Sequence, residues 1–173
     1  MMKRGLGCLV RAAGLLAIGV LTALAFENPA SACTCMWGGP FLTVAPKVET
    51  IVRVRIRDYH EPGRGPAPLA MDVTVLERLK GPEVAAEIRI WGDNGALCRP
   101  YVTQFPRGTE WILAIYPQRR ERPDADGYII PGCGAYWLQV QGDRVTGQIR
   151  DKGPRSTAEE ESLDAIRAAL NPR

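Results

Sequence analysis

The four cysteines outside the N-terminal leader constrain the fold of this chain more than any other feature. Cys33 and Cys35 are separated by one residue, and Cys98 and Cys133 follow later. In an extended strand, residues two apart point to the same side, about 7 Å apart, so each can bond to a different neighbouring segment. An even set of cysteines in an exported domain predicts two disulfides, with three pairings open from the residues alone. A metal site and free thiols are the alternatives, and an oxidising compartment disfavours both.

The N-terminal segment has the features of a secretory signal. Basic residues precede an uncharged, mostly apolar stretch from Leu15 to Phe26, and small residues follow it up to Ala32. This pattern predicts a signal peptide over residues 1–32, with Cys33 as the first residue of the mature chain. The apolar stretch is shorter than the roughly 20 residues of a membrane span, so we expect no span in the mature chain. Residues 33–173 are then expected to form one secreted or periplasmic domain, with a retained anchor as the alternative.

Hydrophobic patterning predicts a core made of strands. Apolar and polar residues alternate over Val52–Arg57, which is typical of a half-buried strand. The residues of this strand expected to face solvent are Arg53, Arg55 and Arg57. The run Glu110–Tyr116 is mostly apolar and predicts a strand buried on both faces. The same signals predict further strands at Met71–Leu79, Ala86–Trp91, Tyr136–Val140 and Arg144–Ile149.

Three segments between these strands are predicted to be loops or turns. Glu61–Pro68 is rich in proline and glycine, which exclude regular pairing, and the adjacent His60 is expected to be an exposed loop residue. The charged segment Gln118–Asp126 predicts a solvated loop. The pair Gly142-Asp143 suits a tight hairpin turn between the last two strands.

Only the C-terminal segment has a helical pattern. A helix is predicted over residues 158–170, with Ser156 or Thr157 as its N-cap. Glu159–Glu161 favour the positive end of the helix dipole. The apolar face of this helix is formed by Leu163, Ile166 and Leu170. Six short strands and one terminal helix predict a small closed or half-closed barrel.

The sequence contains no catalytic signature. His60 is the only histidine and has no nucleophile or ligand spacing around it. The chain lacks a Gly-x-Ser-x-Gly motif, a phosphate-binding glycine loop and a histidine-based metal motif. The carboxylates Asp58, Glu77 and Asp93 are interpreted as solvated charges. We therefore expect no enzyme activity, no catalytic residue and no cofactor.

The net charge and the small number of thiols argue against a nucleic-acid partner and against a bound metal. Without the leader the chain is nearly neutral and has no basic stripe with interleaved aromatics, so nucleic acid is not an expected partner. A soft-metal site at Cys33, Cys35 and Met36 would need further thiolates or histidines, so no metal is predicted. Trp37 is expected either to contact a partner or to pack beside a disulfide.

The cysteine pair at the predicted mature terminus carries a family resemblance. Cys33-Thr34-Cys35 directly after a signal peptide, with later partner cysteines, resembles the tissue inhibitors of metalloproteinases and the wider netrin-like domains. Segments of bacterial members are similar, in the same order, to Val73–Gly81, the turn before Cys98, the strand at Trp111 and Gly132-Cys133. The similarity covers most of residues 33–150. In the first strand, Val48–Val54 lacks the Ala-Asp-x-Val-Phe-x-Gly segment of many bacterial members.

The resemblance implies a fold, a disulfide pattern and a binding role. The family fold agrees with the strand pattern, so we expect an all-β, OB-fold-like barrel of five to six strands with a C-terminal α-helix. The family order implies the disulfides Cys33–Cys98 and Cys35–Cys133. In the inhibitors, the α-amino nitrogen and carbonyl oxygen of the N-terminal cysteine chelate the protease zinc, and the second residue enters the specificity pocket. Those roles fall on Cys33 and Thr34, which are the predicted partner-binding residues.

Three functions are compatible with these features. The first is a secreted, disulfide-stabilised, monomeric domain that binds an extracellular or envelope protein, because netrin-like domains also serve as interaction modules. The second is inhibition of a zinc metalloprotease through Cys33. The third is a cell-envelope lipoprotein acylated at Cys33, since Ala30–Cys33 partly resembles a bacterial lipobox. That motif lacks its usual leucine, and acylation would leave three cysteines.

Overall fold

Five strands form a closed barrel. The computed structural model describes residues 35–62, 68–118, 126–151 and 157–171. The barrel strands are β1 (Thr50–Pro62), β2 (Pro68–Lys80), β3 (Glu87–Trp91), β4 (Glu110–Pro117) and β5 (Tyr128–Ile129). Their order is β1-β2-β3-β5-β4, and β1 closes the ring by pairing with β4. Only β3 and β5 are parallel among these pairs. The barrel is of the OB type, and the predicted fold class is confirmed.

Three further strands extend the sheet from β4. They are β6 (Trp137–Gln141), β7 (Arg144–Gly147) and β8 (Glu159–Ser162), each antiparallel to its neighbour. Gln141 pairs with Arg144, and Gly142 between them has a φ of +64°, so the predicted tight hairpin turn is present. Because β4 also pairs with β1 and β5, it joins the barrel to this extension.

Short helical segments lie outside the sheet. α1 (Phe41–Val44) runs into a 3₁₀ turn at Ala45–Lys47, and a second 3₁₀ turn covers Val102–Gln104. The last element is α2 (Leu163–Leu170). The sequence patterns did not predict α1 or either of the two 3₁₀ turns. No helix in the described ranges is long and apolar enough to cross a membrane.

The loop predicted at Glu61–Pro68 is shorter than expected. β1 continues to Pro62 and β2 begins at Pro68, and these two prolines are register partners. Residues 63–67 lie outside the described part of the chain. The prediction that His60 is an exposed loop residue is wrong, because His60 pairs with Ala70 in the sheet and its side chain is 32% exposed. Antiparallel pairing with β2 overrides the local turn signal.

The C-terminal helix also begins later than predicted. Ser162 is the N-cap of α2, since its Oγ accepts a hydrogen bond from the Ala165 N–H at 3.1 Å. The predicted cap Thr157 precedes β8, and Ser156 lies outside the described residues. The three glutamates Glu159–Glu161 belong to β8 and not to a helix, because they pair with the exposed edge of β7. The predicted apolar face is present: Leu163 and Ile166 are buried and Leu170 is half-buried.

β4 is buried on both faces, as its sequence predicts. Residues 111–115 are each at most 9% exposed. Leu113 and Ile115 pack in the barrel interior with residues of the other strands, among them Val52, Val54, Met71, Val73, Ile88 and Ile90. Ile112 and Ala114 belong to a second apolar cluster, which includes Phe41, Ala45, Leu138, Val140, Leu163 and Ile166. One strand is therefore shared by two cores.

Ion pairs connect β1 to its neighbours. Glu110 accepts hydrogen bonds from Arg53 at 2.5 Å and from Arg55 at 2.6 Å. Burial raises the pKa of Glu110, but the hydrogen bonds from Arg55 and Arg53 outweigh it, so the pKa lies below its ordinary value. Arg55 and Arg57 are about half exposed, as predicted for a solvent-facing side, whereas Arg53 is 21% exposed.

Two carboxylates interpreted as solvated charges have different environments. Asp58 is 69% exposed and pairs with Arg107 at 2.6 Å, in agreement with the interpretation. Glu77 is 30% exposed and binds Arg167 of α2 through two hydrogen bonds of 2.9 and 2.7 Å. The interpretation of Glu77 is therefore wrong, because this bidentate pair joins β2 to the C-terminal helix.

Replacing Ile166 by aspartate is expected to destabilise the domain strongly. Ile166 is fully buried, so Ile166→Asp places a carboxylate in an apolar cluster and should lower the free energy of unfolding by at least about 3 kcal/mol. Ala168 lies on the exposed side of the same helix, and Ala168→Asp should cost less than about 1 kcal/mol. Chemical denaturation followed by circular dichroism measures both. An unchanged midpoint for Ile166→Asp would contradict the docking of α2.

Candidate functional site

A disulfide ties the N-terminal end of the described chain to the segment before β6. It joins Cys35 to Cys133, whose Cα atoms are 5.9 Å apart and which are separated by 98 positions in sequence. This is the pairing that the netrin-like resemblance implied for these two cysteines. The Gly38 N–H donates to the Cys133 carbonyl at 2.8 Å, and the Ala135 N–H donates to the Gly39 carbonyl at 3.0 Å. One covalent bond and two backbone hydrogen bonds therefore hold this segment.

Cys98 lies against Gly132, the residue before the disulfide-bonded Cys133. Cys98 is disulfide-bonded, and its partner lies outside the described residues. A Cβ added to Gly132 would lie 2.3 Å from the carbonyl oxygen of Cys98, and one added to Gly38 would lie 2.7 Å from that of Cys133. Only glycine permits such close approach of two backbones. Three distant parts of the chain therefore meet at one edge of the domain.

The residues predicted to bind a partner, Cys33 and Thr34, lie outside the described residues. The Cys33 end of the implied Cys33–Cys98 bond lies outside them as well. The soft-metal alternative loses one ligand, because the sulfur of Cys35 is in a disulfide. Within the described part of the chain, no group of three or more histidine, cysteine, aspartate or glutamate residues is placed to hold a metal ion.

The loop before Cys98 is ordered by the carboxylate of Asp93. Its Oδ1 accepts hydrogen bonds from the N–H groups of Gly95 and Leu97, both at 2.9 Å. The Asp93 N–H donates to the Pro100 carbonyl at 3.2 Å. Asp93 is only 8% exposed, so its interpretation as a solvated charge is wrong. A buried carboxylate needs such donors because water does not solvate it, and here they fix the position of Leu97.

Large apolar side chains are exposed beside these cysteines. Met36 is 93% exposed, and Leu97 is 44% exposed. We call the surface formed by Cys35, Met36, Leu97, Cys98, Gly132 and Cys133 the disulfide edge. Tyr101, in the same loop as Leu97, is 41% exposed. Among the described residues, the only other large apolar side chain with comparable exposure is Leu76 of β2.

A shallow concavity of about 260 Å³ borders the disulfide edge. Its lining comprises Leu97, Cys98, Arg99, Tyr116, Ile129, Pro131, Gly132 and Cys133. Arg99 is the one charged residue in this lining, and it is 7% exposed. The surface that the edge offers is therefore apolar, with one guanidinium buried beneath it.

An uncharged aromatic layer supports the edge. Trp37 is half-buried and packs against the apolar cluster that contains Phe41 and Ala135, which agrees with the packing role predicted for it and leaves its predicted contact role open to test. Tyr136 packs against the same cluster. Burial raises the pKa of Tyr136 above its ordinary value, and the neighbouring Tyr116 adds to the shift, so the phenol is neutral at physiological pH.

Comparison of the chain with models of protein families, with curated proteins and with solved structures finds no match in any of the three.

Removing the described disulfide is expected to lower the melting temperature. Closing a loop of this length contributes roughly 4–5 kcal/mol in the chain-entropy model, so the double variant Cys35→Ala with Cys133→Ala should melt on the order of 10 °C lower. The same variant should also exchange the Gly38 amide hydrogen faster, since its acceptor residue is no longer tethered.

Calorimetry and hydrogen exchange measure the two effects. Met36→Ala is the matched control, because this exposed neighbour makes no contribution to the tether and should leave both quantities unchanged. A double variant that melts like the parent would show that the disulfide does not hold the edge.

Proposed function

We propose that this chain is a secreted, disulfide-stabilised protein-binding domain whose contact surface is the disulfide edge. The observation that carries the proposal is the exposure of Met36 and Leu97 on segments that are themselves immobilised. Single exposed apolar residues are common on protein surfaces. These two differ because they lie on segments that meet at Cys98 and Cys133.

The chemistry of the edge favours a protein partner. Methionine is enriched at protein interfaces, and a few well-packed side chains near the centre of an interface commonly supply most of the binding energy. Ordering a mobile loop on binding costs free energy, and this cost is smaller where covalent and hydrogen bonds already fix the loop. The disulfide at Cys35 and the carboxylate of Asp93 provide such fixation on the two sides of the edge.

Site-specific photo-crosslinking tests this proposal. A photoreactive amino acid at Met36 or at Leu97 of the exported protein should capture the same extracellular or envelope protein. The same amino acid at Leu76, which is 39% exposed on β2, should not capture that protein. Different products at Met36 and Leu97, or an identical product at Leu76, would contradict a single contact surface at the edge.

The captured partner then allows a quantitative measurement. Leu97→Asp should weaken its affinity at least about tenfold, because a charge would be desolvated at the interface, while Leu76→Asp should leave the affinity within about threefold. Circular dichroism establishes that both variants are folded.

Inhibition of a zinc metalloprotease is a second candidate. Cys35 and Cys98 are both disulfide-bonded, and exposed Leu97 directly precedes Cys98. A mature chain starting at Cys33 would carry its free α-amino group two residues before the disulfide-bonded Cys35. The α-amino nitrogen and carbonyl oxygen of such a terminus form a five-membered chelate that can displace zinc-bound water.

Extension of the terminus separates this candidate from a general binding module. Protein starting at Cys33 should inhibit susceptible zinc endopeptidases, and one extra residue before Cys33 should abolish inhibition without changing the fold, because the chelate needs a free amine. Thr34→Gly should weaken inhibition less, since it deletes a pocket contact and keeps the ligands. Undiminished inhibition by the extended form would exclude chelation. Absence of inhibition by both forms would contradict the inhibitor function and favour the general protein-binding domain.

The number of cysteines supports an unmodified Cys33, whose thiol is available to form a disulfide. Cys98 is disulfide-bonded while Cys35 and Cys133 are bonded to each other. Outside the predicted signal, the remaining cysteine is Cys33. An acylated Cys33 would have no thiol to give to Cys98, so we favour the secreted form over the lipoprotein.

A further inference from the structure

Three of the four tryptophans line one open groove beside the barrel. The groove has a volume of about 440 Å³, within the roughly 300–1,000 Å³ range of small-molecule sites. We call it the tryptophan groove, and its larger lining side chains are Trp37, Trp111, Trp137, Gln139, Thr146 and Gln148. The other lining residues are glycines and alanines, whose small size leaves the groove open.

Strand register places the polar and aromatic side chains together. Trp111 of β4 is the partner of Gln139 on β6, and Gln139 is the partner of Thr146 on β7. Trp137 is two residues before Gln139 on the same strand, so both side chains lie on the same face of the sheet. Indole rings, an amide and a hydroxyl therefore form a continuous row across three strands.

The indole rings are held in fixed orientations. Phe105 contacts Trp111 and Trp137 edge to face, with ring centroids 5.0 and 5.9 Å apart. The Nε1 of Trp111 donates to the Thr109 hydroxyl at 2.7 Å. Rings that do not need to be ordered on binding favour recognition of a ligand with a matching flat, apolar face.

The lining of the tryptophan groove limits the chemistry of its ligand. None of the described residues that line it carries a charge. A phosphate or a carboxylate would lose its hydration there without gaining a counter-ion, and an ammonium ion would find indole faces but no carboxylate. A purely apolar ligand would leave the amide of Gln139 facing a surface that cannot form hydrogen bonds. The lining therefore favours a neutral ligand that has both a C–H face and several hydroxyl groups.

We propose that the tryptophan groove binds an uncharged saccharide. The C–H face of a sugar ring packs against an indole ring, and its hydroxyl groups exchange hydrogen bonds with the Gln139 amide and with the Thr146 hydroxyl. The Trp37 Nε1 is buried and has no acceptor among the described residues, and a sugar hydroxyl bound beside this ring would offer one. This activity is additional to protein binding at the disulfide edge.

Calorimetric titration of the exported protein tests the proposal. The probes are neutral tetrasaccharides of glucose, xylose, mannose and N-acetylglucosamine, with a sulfated heparin tetrasaccharide as the charged comparison. At least one neutral probe should bind, and Trp37→Ala and Gln139→Ala should each weaken it about tenfold. Trp91→Phe is the matched control and should leave binding unchanged, because the Trp91 Nε1 donates to the Asp126 carbonyl away from the groove lining.

The outcomes distinguish the groove from other sites. Trp37 also packs against the core, so Gln139→Ala, at a half-buried strand position, keeps the test valid if Trp37→Ala fails to fold by circular dichroism. Neutral binding that is lost in Gln139→Ala and kept in Trp91→Phe supports the proposal. Binding of no neutral probe at millimolar concentration, binding of the heparin probe alone, or equal binding by Gln139→Ala and the parent would overturn it.

Discussion

The burial of β4 on both faces is the constraint on which the rest of the structure depends. This strand pairs with β1, β5 and β6, so it closes the barrel and also carries the extension. One of its faces fills the barrel interior, and the other packs with α1 and α2. Because protein interiors are close-packed, a change of volume at Ile112 or Leu113 would be transmitted to one core directly and to the other through the backbone they share.

The fold was predictable where a local pattern and its tertiary environment agree. The alternation over Val52–Arg57 and the apolar run Glu110–Tyr116 both specify burial, and burial decides strand placement. The glutamates Glu159–Glu161 show the opposite case, because their helical signal is weaker than the hydrogen bonds that the edge of β7 offers them. Pairing between segments distant in sequence cannot be deduced from the properties of either segment alone.

The candidate sites were predictable only in part, for the same reason. The cysteines mark the disulfide edge because their covalent chemistry is visible in the residue type. The residues Gly92-Asp93-Asn94-Gly95, which form the turn before Cys98, are typical of a change of chain direction, but they do not indicate that the carboxylate of Asp93 turns inward to hold Leu97. The tryptophan groove depends on the register of β4, β6 and β7, so Trp111 and Gln139 are neighbours that no local pattern connects.

The span of the Cys35–Cys133 disulfide imposes an order of assembly on the molecule. The two residues are 98 positions apart, and every barrel strand lies between them, so the bond closes only after all five strands have been made. It also needs oxidising surroundings, because a reducing cytosol keeps thiols reduced. The disulfide edge is thus completed late, and only where thiols can be oxidised. Its completion therefore reports both that the whole barrel has been synthesised and that the chain is in oxidising surroundings.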